Sequence, residues 1–165
     1  MKAGMKFDVN RESRIINVER SFDASLPLVW DAWTKPEILD QWWAPKPWKA
    51  GTVEQLFEEG GFWHYYMQGP DGNDKQYCLF NYEKIQKHKF YTGSDAFCDE
   101  GRKVDDTKPI ARWDVKFTEE AGATLVSMSI GFDSAEDLDT QMEMGFREGF
   151  NMCMGNLDEL LPTLK

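Results

Sequence analysis

The chain has 165 residues, 41% hydrophobic and 29% charged, which is typical of a folded globular protein rather than a disordered or membrane-embedded one. Its 29 acidic residues outnumber its 19 basic residues and give a net charge of −10. We therefore expect no binding to nucleic acids and no insertion into membranes, and the length predicts a single domain over 1–165 with its core at about 12–163.

The N-terminal part predicts one strand followed by two short helices. Residues 12–22 alternate apolar and polar side chains, as a half-buried strand does. Ser25 is a good N-cap for a first helix, with Pro27 in its first turn, where the missing N–H costs little. A second short helix is expected from Pro36 to Trp43, before Pro45 ends it.

The middle of the chain predicts strands joined by turns. The glycine-rich segment 69–73 has turn composition and should join two strands as a hairpin, and a polar loop is expected from Asp95 to Pro109. The predicted strands are 12–22, 52–58, 61–68, 76–86, 88–94, 110–118 and 123–132. They give about seven strands, mostly antiparallel.

The C-terminal segment predicts one long helix, from about Ser134 to Leu161. Ser134 and Asp137 have the spacing of an N-terminal cap. Apolar residues then recur at helical spacing and should pack on the sheet: Met142, Phe146, Cys153 and Leu157. The fold class is therefore α+β, with a curved sheet wrapped around a long C-terminal helix.

Common catalytic and cofactor signatures are missing from the sequence. The two histidines, His64 and His88, are too few for a histidine-rich metal site, and no glycine-rich nucleotide loop is present. The acidic stretch 95–106, which contains Cys98, has the composition of a solvated loop. We expect no metal and no cofactor.

The three cysteines, Cys78, Cys98 and Cys153, form no CxxC pair. An odd number without metal-ligand spacing predicts reduced thiols, no disulfide and a cytoplasmic location.

The strand 62–68 is unusually aromatic. Its alternation places Trp63, Tyr65 and Met67 on the more apolar of its two faces, which should point inward. The C-terminal helix carries three glycines, and such small residues permit either close contact with the sheet or a cavity between helix and sheet. The pattern alone leaves both possibilities open.

Several motifs, taken in order, resemble START-like (SRPBCC) domains of the Hsp90-ATPase-activator-homologue group. They are Val29-Trp30-Asp31-Ala32-Trp33-Thr34, Pro36-Glu37, Trp42-Trp43, Gly60-Gly61, Trp63, Tyr65, Met67, Gly69-Pro70-Asp71-Gly72, Tyr82, Ile85, Gly145-Phe146 and Leu157. The resemblance covers about residues 12–163. It implies a helix-grip fold, in which a seven-stranded antiparallel sheet curls around the C-terminal helix and two short helices close one end.

The resemblance also implies a hydrophobic cavity between the sheet and the C-terminal helix. Together with the alternation above, it leads us to expect a ligand-binding cavity lined by Trp43, Trp63, Tyr65, Met67, Phe80, Tyr82, Trp113, Phe146, Gly149, Phe150 and Met154.

The leading hypothesis for function is a non-catalytic module that binds a small apolar or lipid-like molecule, as a monomer or a dimer. One alternative is a protein-interaction or co-chaperone-like domain, which would expose an apolar patch, for instance at Trp48. A second alternative is a cyclase- or hydrolase-type enzyme that uses His64 or Tyr66 as an acid–base group.

Overall fold

A computed structural model describes residues 4–164. Eight strands form one antiparallel sheet in the order β1-β2-β8-β7-β6-β5-β4-β3. The strands are β1 (Lys6–Asn10), β2 (Ile15–Phe22), β3 (Lys49–Leu56), β4 (Phe62–Gln68), β5 (Lys75–Gln86), β6 (Phe90–Cys98), β7 (Ala111–Glu120) and β8 (Ala123–Gly131). The helices are α1 (Leu26–Thr34), α2 (Pro36–Leu39), α3 (Ala135–Glu143) and α4 (Phe146–Leu160), followed by a 3₁₀ turn (Leu161–Leu164).

Period-two alternation gives the sheet one apolar face. In β7 the buried residues are Ala111, Trp113, Val115 and Phe117, and the residues between them are exposed. The adjacent strand continues this face, since Trp113 lies opposite Ile130 of β8. Burying this face against the helices removes a large apolar area from water, which is the main stabilising term of the fold.

Helix α4 is fixed to the rest of the molecule by two polar contacts as well as by apolar packing. The buried guanidinium of Arg20 in β2 donates to the carboxylate of Asp158. At the other side of the helix, the Asn156 side chain donates to the carbonyl oxygen of Ala44 at 3.0 Å. Leu157 between them is fully buried, and Phe146 is half-buried against the core. The predicted packing of this segment on the sheet is therefore confirmed.

The α+β class and the antiparallel sheet around a C-terminal helical segment are confirmed, but the number of strands differs. The structure has eight strands rather than about seven, because Lys6–Asn10 adds an edge strand on β2. This strand has only one half-buried side chain, Phe7, so its sequence carries almost no apolar alternation. The hairpin at 69–73 is confirmed, since β4 and β5 pair directly around it.

The prediction of one continuous C-terminal helix is wrong. Ser134 caps α3 as expected, with its hydroxyl oxygen accepting a hydrogen bond from the Asp137 N–H at 3.0 Å. Gly145, however, has φ +81°, the left-handed conformation that ends a helix. The segment therefore consists of α3 and α4 joined at Met144 and Gly145. The apolar spacing continues across the break, which is why periodicity alone did not show it.

The prediction of a loop beginning at Asp95 is also wrong. Strand β6 continues to Cys98, and Asp95 pairs with Phe80 on one side and Ala111 on the other. The remaining part of the predicted loop, up to Pro109, connects β6 to β7.

Candidate functional site

A pocket of about 210 Å³ lies between the inner face of the sheet and the C-terminal helices. We call it the Asp95 pocket. Its lining residues are Trp43, Pro45, Tyr65, Met67, Gln76, Cys78, Asp95, Ala96, Phe97, Pro109, Ala111, Trp113, Gln141, Met144, Gly145, Phe146, Gly149, Phe150 and Cys153. Most of these side chains are apolar or aromatic, as in pockets that bind small organic molecules.

The strand register explains why these residues meet. Tyr65 lies opposite Cys78 in the β4–β5 ladder, and Cys78 lies opposite Phe97 in the β5–β6 ladder. Asp95 is two residues before Phe97 and therefore points to the same face of the sheet. Ala111 lies opposite Asp95 and provides a small side chain on that face.

Small residues and the break between α3 and α4 keep the pocket open. A Cβ at Gly149 would have only ordinary contact with Pro45, 3.7 Å from its Cγ, so the glycine leaves space on the helix side. Met144 is 49% exposed and lies beside Gly145 at the rim. Because α3 ends here, no continuous helix covers this side of the pocket.

Among the described residues 4–164, one carboxyl group lines the pocket, and its only side-chain hydrogen bond comes from a phenol. The Tyr65 hydroxyl donates to Asp95 and lies 3.2 Å from both Oδ1 and Oδ2. That is longer than usual for an O–H···O bond, and a carboxylate can accept about four hydrogen bonds. Within residues 4–164, no lysine, arginine or histidine forms an ion pair with Asp95.

This environment changes the acidity of the groups in the pocket. Burial raises the pKa of Asp95 from 3.8 to about 7, although the Tyr65 hydrogen bond opposes the shift. Burial, followed by the charge of Asp95, raises the pKa of the Tyr65 phenol and of the Cys78 thiol well above their usual values. Asp95 is therefore the group of this set that changes charge near neutral pH.

Seven of the eleven residues predicted from the sequence line the Asp95 pocket. They are Trp43, Tyr65, Met67, Trp113, Phe146, Gly149 and Phe150. The alternation of β4 correctly placed Tyr65 and Met67 on the inner face, and α4 supplies the last three of the seven.

The other four predicted residues are buried elsewhere. Trp63 stacks on Tyr65 with ring centroids 3.9 Å apart, and its indole N–H donates to Thr52. Phe80 and Tyr82 pack against each other at 5.1 Å, in an aromatic cluster outside the pocket. Met154 is fully buried in the core. Alternation correctly gave the inward direction of Trp63, but it gave no position along the strand.

The acid–base groups proposed from the sequence do not line the pocket. His64 is on the opposite face of β4, where its Nε2 lies 3.2 Å from the carbonyl oxygen of Asp99. Tyr66 lies under the ammonium of Lys75, which is 4.5 Å from its ring centroid. Trp48 is half-buried beside the 69–73 turn and does not form an exposed apolar patch by itself.

Sequence reasoning missed Asp95, Cys78 and Cys153 as pocket residues. Asp95 lies in a segment so rich in polar residues that its composition indicated a loop. The strand register, which the sequence does not contain, places Tyr91, Asp95 and Phe97 on one face of β6. Cys78 and Cys153 are buried free thiols on β5 and α4, and no sequence pattern brings them together.

Two further features bear on what the site can hold. Among residues 4–164, no three His, Cys, Asp or Glu side chains come together as a metal ion would require. None of the helices in this part of the chain is long and apolar enough to cross a membrane.

The sequence matches a known protein family. The family model for Activator of Hsp90 ATPase homolog 1-like proteins matches residues 23–162, which is most of the chain. The chain belongs to this family. Membership supports a ligand-binding or co-chaperone-like module, with a small ligand or a protein as the partner.

Solved structures of similar proteins have the same architecture. A protein from Arthrobacter aurescens is 28% identical, with a TM-score of 0.89 over 96% of this chain and 91% of its own. Protein Ms6760 from Mycobacterium smegmatis is 24% identical, with a TM-score of 0.87 over 98% and 97%. CalU16 from Micromonospora echinospora is 19% identical, with a TM-score of 0.61 over 98% and 85%. A search of curated proteins found no significant match.

Proposed function

We propose that this member of the family binds one small apolar or amphipathic molecule in the Asp95 pocket. The observation that carries the proposal is an aromatic-walled pocket, with Trp43, Trp113 and Phe150 around a single carboxyl group. An apolar protein cavity of about 150 Å³ accommodates benzene, so about 210 Å³ offers room for one ring with a short substituent. The proposal includes a cytoplasmic location, which three buried free thiols support.

The proposal is tested by calorimetric titration of the wild-type protein with neutral single-ring compounds: 2-phenylethanol, indole and p-cresol. We expect saturable binding of at least one compound at a stoichiometry of one. Tryptophan emission should change with the same midpoint, because Trp43 and Trp113 line the pocket. If neither these compounds nor the amphipathic analogue 2-phenylethylamine binds, the proposal is overturned.

Variants that fill the pocket locate the binding site. Gly149→Leu on α4 and Ala111→Leu on β7 place side-chain volume in the space from opposite sides, and each should abolish binding. Gly155→Leu on α4 is the matched control, because a Cβ at Gly155 meets nothing within 4 Å and the residue does not line the pocket. Thermal melting identifies any variant that fails to fold, since overpacking commonly costs ~1–3 kcal/mol. Unchanged binding in both folded filling variants would place the ligand elsewhere.

A co-chaperone-like function is the second candidate, and the family description supports it. It predicts that the purified chain raises the ATPase rate of an Hsp90, and that the Gly149→Leu variant still does so because the pocket is not the contact surface. An unchanged ATPase rate over a full concentration series would remove this candidate.

Acid–base catalysis on the bound molecule is a third candidate, and it would use the same site. Asp95 and Tyr65 form a polar pair inside the pocket, and a carboxyl group with a pKa of about 7 is suited to take up or release a proton. Liquid chromatography with mass analysis of each compound after prolonged incubation with the protein tests this candidate, since turnover would change either its retention time or its mass, and an unchanged profile would remove the candidate.

A further inference from the structure

We infer that the ligand of the Asp95 pocket is a small amphipathic cation, an arylalkyl ammonium whose nitrogen lies against the Asp95 carboxylate. This inference rests on the proposed function and adds the chemical class of the ligand.

The first argument is that the hydrogen-bonding capacity of Asp95 is largely unused. Tyr65 supplies one O–H, shared between both carboxylate oxygens at 3.2 Å. The carboxyl group lines the pocket, and within residues 4–164 no cationic side chain is paired with it. A buried carboxylate without a cation is costly, and a ligand ammonium would supply both the charge and the missing donors.

The second argument comes from the walls around the carboxyl group. Trp43 and Trp113 have ring centroids 6.1 Å apart, and Phe150 lies 6.1 Å from the first and 5.8 Å from the second. Aromatic faces attract cations, most strongly those of tryptophan, and they also accommodate the hydrocarbon part of a ligand. These three rings therefore suit both parts of an arylalkyl ammonium ion.

The third argument is that other ligand charges fit less well. A ligand carboxylate would meet the Asp95 carboxylate in a site of low polarity, where like charges repel strongly. The whole chain carries a net charge of −10, which attracts cations and repels anions over longer distances. A neutral alcohol could donate one hydrogen bond, but it would leave the carboxylate charge unpaired.

The ionisable groups that interact with Asp95 have raised pKa values, so ligand binding near neutral pH should follow the ionisation of Asp95 itself. From β4 and β5 it is faced by Tyr65, Cys78 and Tyr82, and burial raises the pKa of each. From its own strand Tyr91 and Cys98 interact with it, and burial raises the pKa of Tyr91 well above its usual value and that of Cys98 to about 11.

Three further ionisable groups lie near the pocket, on α4, in the connection before β7 and just after β6. Burial raises the pKa of Cys153 on α4 to about 12. Lys108, in the connection before β7, is a cation whose Nζ lies 5.1 Å from the ring centroid of Phe97. Asp99 acts on Cys98 rather than on Asp95. Near neutral pH, the change in charge at the pocket is therefore that of Asp95.

The test compares three ligands of the same shape: 2-phenylethylamine, 2-phenylethanol and phenylacetate. At about pH 8 the amine should bind at least tenfold more tightly than the alcohol, because both donate a hydrogen bond to Asp95 but only the ammonium also pairs its charge with the carboxylate; a tenfold preference corresponds to about 1.4 kcal/mol. Phenylacetate should bind most weakly. Between about pH 6 and pH 8 the affinity for the amine should rise about tenfold, because the ionised fraction of a group with a pKa near 7 rises by that factor.

Asp95→Asn should bring the amine-to-alcohol affinity ratio to within about twofold of one and remove the pH dependence. Asp114→Asn is the matched control: it removes the same charge from the exposed face of β7 and should leave the ratio unchanged. If Asp95→Asn fails to fold, the pH profile of the wild-type protein decides. Alcohol binding with no preference for the amine would overturn this inference while leaving the proposed function intact. Absence of binding by all three ligands and by the neutral compounds would overturn both.

Discussion

The two ends of strand β7 lie in very different surroundings. At its C-terminal end, Phe117 packs against Trp30 at 5.0 Å and against Trp33 at 6.1 Å, and aromatic rings fill the space. At its N-terminal end, Ala111 borders the Asp95 pocket. Both ends lie under the same sheet face and beside aromatic side chains. The difference teaches that side-chain size at a few positions, together with the helix break at Gly145, decides where this fold is solid and where it is open.

The polar groups differ in the same way. At the packed end, the Thr34 hydroxyl donates to the Trp30 carbonyl at 2.8 Å, and the Trp42 indole donates to the Ala32 carbonyl at 2.9 Å. At the pocket end, Asp95 has only the shared phenol of Tyr65. These two polar groups of the packed end are satisfied within the protein, although the Trp33 indole N–H there has no partner among the described residues, whereas the pocket end leaves both the Asp95 carboxyl group and the Trp113 indole N–H with unused hydrogen-bonding capacity.

The largest effect is expected from Gly93→Ala, which breaks the packed region between β5 and β6. A Cβ at Gly93 would lie 2.2 Å from the carbonyl oxygen of Asn81 and 2.5 Å from the Phe80 ring. Because the backbone of Asn81 can move away only at a high energetic cost, we expect the free energy of unfolding to fall by ~3–5 kcal/mol, as measured by urea denaturation. The control Gly131→Ala, whose nearest contact is the Arg112 side chain at 3.9 Å, should change little. A loss below ~1 kcal/mol for Gly93→Ala would contradict the tight packing.

Asp95→Asn should raise the free energy of unfolding rather than lower it, because it removes the charge that is buried at the pocket end. The pKa of Asp95 is raised from 3.8 to about 7 in the folded state, so the folded protein binds more protons than the unfolded chain between these values. Stability of the wild-type protein should therefore fall as pH rises through that window, by up to roughly 4 kcal/mol.

The Asp95→Asn variant has no ionisable group at this position and therefore lacks this pH dependence. It should be more stable than the wild-type protein at about pH 8, and the difference should disappear toward about pH 4. Denaturation at several pH values measures it, with Asp114→Asn as the control for loss of an exposed charge. A pH-independent difference would show that burial of the charge is not its cause.

Two glycines of the C-terminal segment should respond in opposite directions. Gly145→Ala forces a Cβ into a left-handed conformation, with φ +81°, and should cost ~1–2 kcal/mol. Gly155→Ala adds a Cβ that meets nothing within 4 Å inside α4 and should stabilise by up to ~1 kcal/mol. Thermal unfolding compares the two, and a stabilising Gly145→Ala would argue against the break between α3 and α4.

The smallest effect is expected from Tyr65→Phe, which tests whether the phenol stabilises the Asp95 carboxylate. The Tyr65 hydrogen bond lowers the pKa of Asp95, so its loss should raise that pKa further and move the midpoint of amine binding to higher pH. Titration of the Asp95 carboxyl carbon by NMR measures the shift directly. A midpoint that stays or falls would mean that the phenol does not stabilise the carboxylate.

The sequence predicted those parts of the fold that depend on local pattern. Alternation in β4 placed Trp63 and Tyr65 inside, and the spacing of Ser134 and Asp137 located the start of α3. These signals arise within a few residues, because strand pleat and helix capping are local properties.

The pocket was harder to predict from the sequence, because it depends on which positions of distant strands lie side by side. Seven of the expected residues line it, but Asp95 was assigned to a loop because polar neighbours follow it in the chain. Ala111 and Cys153 line the same pocket because of the sheet register and the placement of α4, neither of which a local sequence pattern gives. The break at Gly145 was hidden because the apolar spacing runs through it without change.

The position of Trp43 has an optical consequence. Its ring centroid lies 5.8 Å from Trp33, 5.1 Å from Trp42, 5.7 Å from Trp63 and 6.1 Å from Trp113. Indole rings this close exchange excitation energy and couple their electronic transitions. Light absorbed deep in the packed end can therefore be emitted beside the pocket, and the near-ultraviolet circular dichroism of the five rings is a property of the group. The absorption and emission of these five rings therefore belong to one coupled group, and two of its members, Trp43 and Trp113, border the pocket.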